Sequence, residues 1–361
     1  MKTLRVVCLT ALLCPLLALG QERNGGLEVP FTITGGGFLT ERTEQAPRSA
    51  SAFTAGTRVV AYPTLRLDEN WFFSGAVQFH SRPYFFEEFG TQGYGAEVDV
   101  LQAYVGYERY WDRNVVSFRA GQLSSAFGSF LLRYDDAVNP LVDLPLSYGY
   151  YYTSPVTNLG LVGAQVDLTL DRLDLRAQFT NSSPANRRSI FDHDQYGSWA
   201  GGVGYTLTQG FRLGVSAYRG PYLHREFKYF FPGESPPKDL PASGYAVEGE
   251  FARGHWNFQG ELHRFQKAYQ LISTVNQVFG YFEAKYAFHP RWYAAARINH
   301  THSSVSPDVD LYEFAVGYRP NRHQLLKVGY QLVNGSRRDG RLADVFAVQL
   351  VTNLRPLSVA W

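Results

Sequence analysis

Apolar and polar residues alternate along many short runs of this chain. In the run 211–218 the odd-numbered positions are apolar and the even-numbered positions are polar or small, and the runs 173–180 and 292–299 repeat the pattern. Because successive side chains of a β-strand point to opposite faces, each run predicts a strand with one apolar face. The predicted strands are 28–38, 52–66, 71–81, 98–110, 114–123, 159–169, 172–181, 196–207, 210–219, 244–253, 255–265, 276–288, 291–300, 309–319, 323–333 and 343–354.

The connections between these runs are alternately short and long. Every second connection is a tight turn of Asp, Asn, Gly or Pro with charged neighbours, whereas the longest of the others cover about 124–158 and 220–243. Short turns at one end and long loops at the other are typical of outer-membrane barrels, whose short turns are periplasmic. We therefore predict an all-β fold, a transmembrane antiparallel β-barrel of about sixteen strands. The predicted short turns are 67–70, 111–114, 170–172, 208–210, 253–255, 289–291 and 319–322.

The first twenty residues form a different segment. Lys2 and Arg5 precede the apolar stretch 6–19, and Ala18-Leu19-Gly20 supplies small residues before a cleavage point. This pattern predicts a secretory signal peptide over 1–20, which leaves 21–361 for the barrel. Both cysteines of the chain lie in this leader, so the exported part needs no disulfide.

Composition supports a barrel rather than a bundle of membrane helices. Aromatic residues make up 16% of the chain, mean hydropathy is −0.23, and no apolar run after residue 20 approaches the roughly 18 residues of a membrane helix. Trp71, Trp111, Trp256 and Trp292 all lie beside short turns, where aromatic girdles meet lipid headgroups. The net charge of +2 includes Lys2 and Arg5, so no nucleic-acid partner is implied.

The alternation also assigns charged side chains to the inward face. A charge facing lipid at mid-membrane costs about 2 to 4 kcal/mol for Arg or Lys, so these charges are expected inside a solvated lumen. Arginines dominate the earlier strands and glutamates the later ones, which predicts a basic wall opposite an acidic wall. Alternatively, the ions pair across strands and only hold the wall together. The inward residues are Arg58, Arg66, Arg119, Arg176 and Arg212 on the early strands, and Glu248, Glu250, Glu261, Glu283, Lys285, Arg297 and Glu313 on the later ones.

The segment 124–155 is too long for a simple connection, and loops of this length are usually functional. It carries Arg133, Asp135, Asp136 and Asp143 beside the tyrosine-rich run 148–152. We expect it to fold inward after the fifth strand and to narrow the lumen, with Arg119, Arg133 and Arg176 at the narrow point. The alternative is an extracellular loop that packs on the rim or on a neighbouring subunit.

The fifth strand and the residues after it resemble a known signature. Arg119-Ala120-Gly121-Gln122 followed by Ala126-Phe127-Gly128 is similar to the Gly-Gln-x(3–4)-Phe-Gly signature of sixteen-stranded bacterial porins related to the phosphate-selective porins. The resemblance implies that this point leads into a constriction loop and that the barrels are trimers. Only five lysines follow the leader, so the lysine-rich anion cluster of the phosphate-selective members has no evident counterpart.

Other chemistry is poorly supported by the sequence. His300-x-His302 has metal-like spacing but no third ligand nearby, and no catalytic or cofactor motif is found. We therefore predict no enzyme activity, no metal and no cofactor. The predicted function is passive diffusion of small hydrophilic solutes or ions through a homotrimer in contact with outer-membrane lipids. Two alternatives remain, a transporter for hydrophobic substrates, which would need an internal plug, and a non-conducting scaffold or adhesin barrel.

Overall fold

The chain is a closed antiparallel β-barrel. The computed structural model describes residues 25–40, 52–82, 84, 95–130, 135–148, 160–181, 197–221, 240–268, 273–335 and 344–360. Consecutive strands pair around one sheet, and β1 pairs with both β17 and β2, which closes the ring. The strands are β1 Gly26–Thr40, β2 Phe53–Ala61, β3 Thr64–Arg66, β4 Trp71–Arg82, β5 Gly95–Trp111, β6 Asn114–Leu123, β7 Leu161–Leu170, β8 Leu173–Asn181, β9 Gly197–Thr208, β10 Phe211–Pro221, β11 Pro241–Arg253, β12 Trp256–Lys267, β13 Val275–His289, β14 Trp292–Ser303, β15 Ser306–Asn321, β16 Gln324–Gly335 and β17 Val345–Ala360.

Sixteen strands cross the barrel wall, because β2 and β3 are two halves of one crossing. They are separated by Tyr62 and Pro63, and both halves pair with β1 and β4. Pro63 has no N–H to donate to a ladder, and the backbone here makes other bonds: Tyr62 N donates to Pro30 O at 3.0 Å and Gly75 N donates to Pro63 O at 2.9 Å. The predicted sixteen-stranded barrel is confirmed, except that the run 52–66 is interrupted.

Six of the seven short turns lie where the sequence predicted them. Asp112 and Asp171 adopt φ values of 50° and 51°, and Gly210 adopts a φ of 82°, in the left-handed region that Gly, Asp and Asn tolerate best. The last of these turns is shifted, since β15 continues to Asn321 and β16 begins at Gln324. One connection at the opposite barrel end, at 304–305, is also a two-residue turn, so the expectation of long loops throughout that end is wrong there.

The outer surface of the barrel is an apolar belt with aromatic edges. Trp71, Trp256 and Trp292 are exposed beside the short turns. Their rings contact outward tyrosines on neighbouring strands, with centroids 5.0 Å apart for Trp71 and Tyr107 and 4.4 Å apart for Trp256 and Tyr286. Within the described ranges, no helix is long and apolar enough to cross a membrane. A closed barrel whose exterior is apolar and edged with aromatics belongs in the outer membrane.

Three predictions concern residues that the structure does not describe. These are the signal peptide over 1–20, Arg133, and most of the tyrosine-rich run 148–152, of which only Tyr148 is described. The last strand is longer than predicted, because β17 continues past Pro356 to Ala360, with a register shift against β1 between Val29 and Phe31.

Candidate functional site

The connection between β6 and β7 lies inside the barrel. We use the name lumen loop for its described residues, 124–130 and 135–148, which include a short 3-10 helix, Leu146–Tyr148. Phe127, Phe130 and Leu141 are completely buried against inward-facing aromatic and aliphatic side chains of the strands. The rings of Phe127 and Phe265 lie 5.4 Å apart. The loop therefore packs against the inner wall as a second layer of core.

The structure explains why Gly121, Gln122 and Gly128 occupy their positions in the Gly-Gln-x-x-x-x-Phe-Gly sequence. Gly121 has a φ of 139°, and a Cβ there would lie 2.4 Å from the carbonyl oxygen of Ala103. Gln122 Nε2 donates to the carbonyl oxygen of Val100 at 2.6 Å. Gly128 has a φ of 72°, and a side chain there would collide with the hydroxyl of Tyr148. These residues allow the chain to leave β6 and turn directly into the lumen.

Asp136 anchors one part of the lumen loop. Its carboxylate lies 3.1 Å from Arg58 Nη1 and accepts hydrogen bonds from Thr34 Oγ1 at 2.9 Å and Tyr84 Oη at 3.0 Å. Burial alone would raise the pKa of Asp136, but Arg58 and Lys327 with these two hydrogen bonds outweigh it and lower the pKa below its usual value. The neighbouring Asp135 accepts a hydrogen bond from the hydroxyl of Tyr62.

Lys327 and Arg297 hold the backbone of the loop. Lys327 Nζ donates to the carbonyl oxygens of Asp136, Asn139 and Leu141 at 3.1, 3.3 and 2.8 Å. Arg297 donates to the Asp143 carbonyl at 3.0 Å and to Asn139 Oδ1 at 3.2 Å, while Glu283 and Glu313 each lie 3.0 Å from its guanidinium. Both cations are fully buried. Both side chains therefore hold the loop in place.

Glu261 links the two described parts of the lumen loop. Its Oε1 accepts hydrogen bonds from Ser129 Oγ and Tyr281 Oη, both at 2.8 Å, and its other oxygen accepts one from Tyr148. His263 Nε2 lies 2.8 Å from the same carboxylate. Burial raises the pKa of Tyr148 well above its usual value, and the nearby charge of Glu261 raises it further. The hydroxyl therefore stays protonated and donates its hydrogen bond to Glu261. This carboxylate joins residues 129 and 148 across the loop.

A different group of charges lies on the inward face of β6 to β11, and all of its members except Glu248, which is 1% exposed, stay partly accessible to solvent. Arg119 Nη1 lies 3.8 Å from Asp167 Oδ2, and the two side chains are 32% and 28% exposed. Arg176 and Arg212 both contact Glu248, at 2.9 and 3.0 Å, and Arg212 also lies 3.3 Å from Asp174. We call this group the arginine–carboxylate strip; its members are Arg119, Asp167, Asp174, Arg176, Arg212 and Glu248.

The structure corrects several of the predicted pore-lining positions. Arg58, Glu283, Arg297 and Glu313 point inward, but the lumen loop covers them and their side chains are at most 2% exposed. Asp136 is buried with them, and Glu248 is buried beside Arg176 and Arg212. They face inward as the alternation predicts, yet they do not face open solvent. Arg119, Arg176 and Arg212 keep partial exposure, Asp135 is half-buried in the loop, Glu250 is half-buried on β11, and Arg133 lies outside the described residues.

The predicted separation into a basic wall and an acidic wall is also wrong. Arg176 of β8 and Arg212 of β10 reach Glu248 of β11, while Arg297 lies between Glu283 and Glu313. Charges of both signs are thus interleaved around the lumen. The anchoring roles of Lys327, Thr34 and Tyr84 were not predicted from the sequence. For Lys327, the alternation along β16 places the side chain on the inward face, and this pattern could have predicted its role.

The two histidines with metal-like spacing are paired individually on the outward face. His300 Nδ1 lies 2.7 Å from Asp310, and His302 Nδ1 lies 2.7 Å from Asp308. Among the residues that the structure describes, no group of three His, Cys, Asp or Glu side chains has an arrangement that could hold a metal ion.

Comparisons with solved structures identify the fold. OmpT, an outer membrane protein of Vibrio cholerae, has a TM-score of 0.59 with 11% sequence identity over 93% of this chain and 100% of its own. A Salmonella typhi OmpF complex has a TM-score of 0.62 with 11% identity over 91% and 97% of the two chains. The outer membrane channel DcaP of Acinetobacter baumannii has a TM-score of 0.61 with 10% identity over 93% and 99%. This chain has the fold of an outer-membrane porin barrel.

At the level of sequence, neither the protein-family models nor the curated proteins include a match to this chain. The general resemblance to sixteen-stranded porin barrels is therefore confirmed as a likeness of fold, and the relation to the phosphate-selective members stays a prediction.

Proposed function

We propose that this chain forms a water-filled channel for the passive diffusion of small hydrophilic or charged solutes, and that it is not an enzyme. The observation that carries the proposal is the arginine–carboxylate strip. Charged side chains inside a barrel are costly unless water or a partner solvates them. Arg119, Asp167 and Asp174 are each about one-third exposed, so water must reach this part of the lumen.

The permeation path runs between the strip and the lumen loop. The loop is anchored on β12, β14, β16, β1 and β2 through Glu261, Arg297, Lys327, Thr34 and Arg58, in that order, and on Tyr84. Nearer its start, the loop contacts Gln178 of β8 and Ser216 of β10 through backbone N–H groups. The loop thus contacts the wall from β8 round to β2, and the partly exposed charges of β6 to β8 lie beside its start. In this proposal, Arg119 and Arg176 line the narrow point that the loop leaves.

Conductance in a planar bilayer tests the channel directly. We expect purified, folded protein to insert in discrete steps with an ohmic current, because a fixed loop beside a solvated strip leaves a permanent aqueous path. The control is the same protein after heat denaturation, and a known porin confirms that the bilayer accepts barrels. An absence of steps under conditions in which the known porin conducts would contradict the proposal.

We also propose that the barrels associate as homotrimers through small outward residues. Gly201 lies in a groove of about 680 Å³ with Ala177, Ala217 and Tyr245 along its lining. Ala294 lies in a second outward groove of about 620 Å³. Gly249 is a third small outward position, on β11. Small side chains let neighbouring backbones approach closely inside a membrane.

The expected result is a trimer-sized band on unheated gels that converts to a monomer band on boiling, with a trimer mass in mild detergent. Light scattering with subtraction of the detergent measures that mass. A monomer mass at all protein concentrations would refute the association while leaving the channel proposal intact.

A further inference from the structure

The charges of the arginine–carboxylate strip balance one another. Three of its six members are arginines and three are carboxylates. Arg66 and Glu108, closer to the short turns, add one charge of each sign. A solute that passes the strip therefore meets strong local fields of both signs but little net charge. Such a surface offers a monopolar ion no net attraction, whereas it attracts a solute that carries both charges.

Arg119 and Asp167 make weaker contacts with charged neighbours than the other members of the strip do. Their closest atoms, 3.8 Å apart, are too distant for a hydrogen bond. The guanidinium lies 5.7 Å from the Tyr104 ring centroid, and the carboxylate accepts hydrogen bonds from Gln165 Nε2 at 2.8 and 2.9 Å. Both groups are thus held in place by neutral neighbours. Each keeps hydrogen-bonding capacity for a passing solute.

The other arginines of the strip are more strongly engaged. Arg176 makes two hydrogen bonds to Glu248, at 2.9 and 3.1 Å, and Arg212 is shared between Glu248 and Asp174. Glu248 is itself 1% exposed, so its carboxylate contacts these arginines and does not face the solvent. Arg119 with Asp167 is therefore the part of the strip best suited to bind a solute.

We propose that the Arg119–Asp167 pair gives this channel a preference for zwitterionic solutes of the amino-acid type, with one carboxylate and one ammonium group. The solute carboxylate pairs with Arg119 and the solute ammonium pairs with Asp167. A net anion or a net cation of similar size gains one of these contacts and meets a repulsive group beside it. A neutral solute gains neither charged contact. This inference rests on the proposed channel function.

Uptake of labelled solutes into proteoliposomes tests the preference. The probes are glutamine as the zwitterion, glutaramate and 4-aminobutanamide as its analogues without the ammonium and without the carboxylate group, and arabinose as the neutral solute, all of comparable size. We expect wild-type protein to pass glutamine about 2- to 5-fold faster than arabinose, the range that a weak, partly exposed charge contact supports. We expect glutaramate and 4-aminobutanamide, which each carry only one of the two charged groups, to pass more slowly than glutamine.

The decisive variant is the double substitution R119Q/D167N, which removes both charges and keeps the net charge of the strip. We expect its glutamine-to-arabinose ratio to fall to about one, whatever change the shorter side chain at position 119 makes in the arabinose rate itself. The single variants should move the reversal potential in a salt gradient in opposite directions, toward cations for R119Q and toward anions for D167N. The matched control is R113Q/D171N, which removes an exposed ion pair of 3.4 Å at a short turn.

The outcomes separate this inference from the channel proposal. Wild-type protein that passes no arabinose would contradict the channel itself, and the inference with it. Arabinose uptake with an unchanged glutamine ratio in R119Q/D167N, or equal glutamine and arabinose rates in wild type, would overturn the inference alone. A reversal potential that neither single variant shifts would also overturn it.

Discussion

Replacement of Asp136 by alanine is expected to detach the middle of the lumen loop and to give a larger, noisier single-channel current than wild type. Asp136 neutralises Arg58 from 3.1 Å in a fully buried site, and Thr34 and Tyr84 donate to the same carboxylate. Removal of one partner from a buried ion pair costs about 3 to 5 kcal/mol, because the other charge stays buried without compensation. A loop that loses this anchor gains access to conformations that leave more of the lumen open.

The barrel should remain folded in this variant. Its wall is closed by backbone ladders between neighbouring strands, and Lys327, Arg297 and Glu261 still contact other parts of the loop. A retained heat-dependent gel shift measures the folded barrel, and current noise measures the loop. The matched control is D171N, because asparagine keeps the left-handed turn conformation of residue 171. Asp171 pairs with Arg113 at 3.4 Å but is exposed, so loss of its charge should cost less than about 1 kcal/mol and leave the current unchanged. Equal conductance and noise in D136A and D171N would contradict the anchoring role.

The wall of the barrel was predictable because its signals are local. Alternation with a period of two identifies a strand whatever its neighbours are, and residues such as Asp171 and Gly210 mark the turns by the backbone conformation that they tolerate. The interruption at Pro63 had a local signal as well, the missing N–H of proline, which the alternation across 52–66 concealed.

The lining of the lumen was only half predictable. Alternation tells which side chains point inward, but it does not tell what covers them. Arg297 and Arg119 have the same inward parity, yet one is buried under the loop and the other is one-third exposed. The difference depends on contacts between distant parts of the chain, such as the bonds from Lys327 to the carbonyls of residues 136–141.

Contacts between distant strands also explain why the prediction of a basic wall opposite an acidic wall is wrong. Arg176 and Glu248 are separated by two intervening strands, β9 and β10, and Gly202 and Gly204 supply the inward positions of β9 between them. Glycines leave space above the sheet, so the long arginine side chains cross it and reach the carboxylate. A strand-by-strand assignment of charge does not include such contacts.

Replacement of both Arg119 and Arg176 by alanine is expected to make the channel cation-selective and to raise its conductance. Guanidinium stays charged at any working pH, so the two substitutions remove two positive charges under all conditions of measurement. Asp167 keeps its hydrogen bonds from Gln165, and Glu248 keeps Arg212, so the carboxylates stay in place and the strip becomes net negative.

The loss of two long side chains also widens the path, which adds to the current from cations. The measurements are the reversal potential in a salt gradient and the conductance at equal salt, and both should respond more weakly at high ionic strength, because salt screens partly exposed charges over about 10 Å at 0.1 M. The matched control is R113A/R172A, in which both arginines are exposed at short turns. The combination of shifted selectivity and increased conductance is what places these two side chains in the path. If R119A/R176A matches wild type in both quantities, the permeation path does not run along β6 to β8.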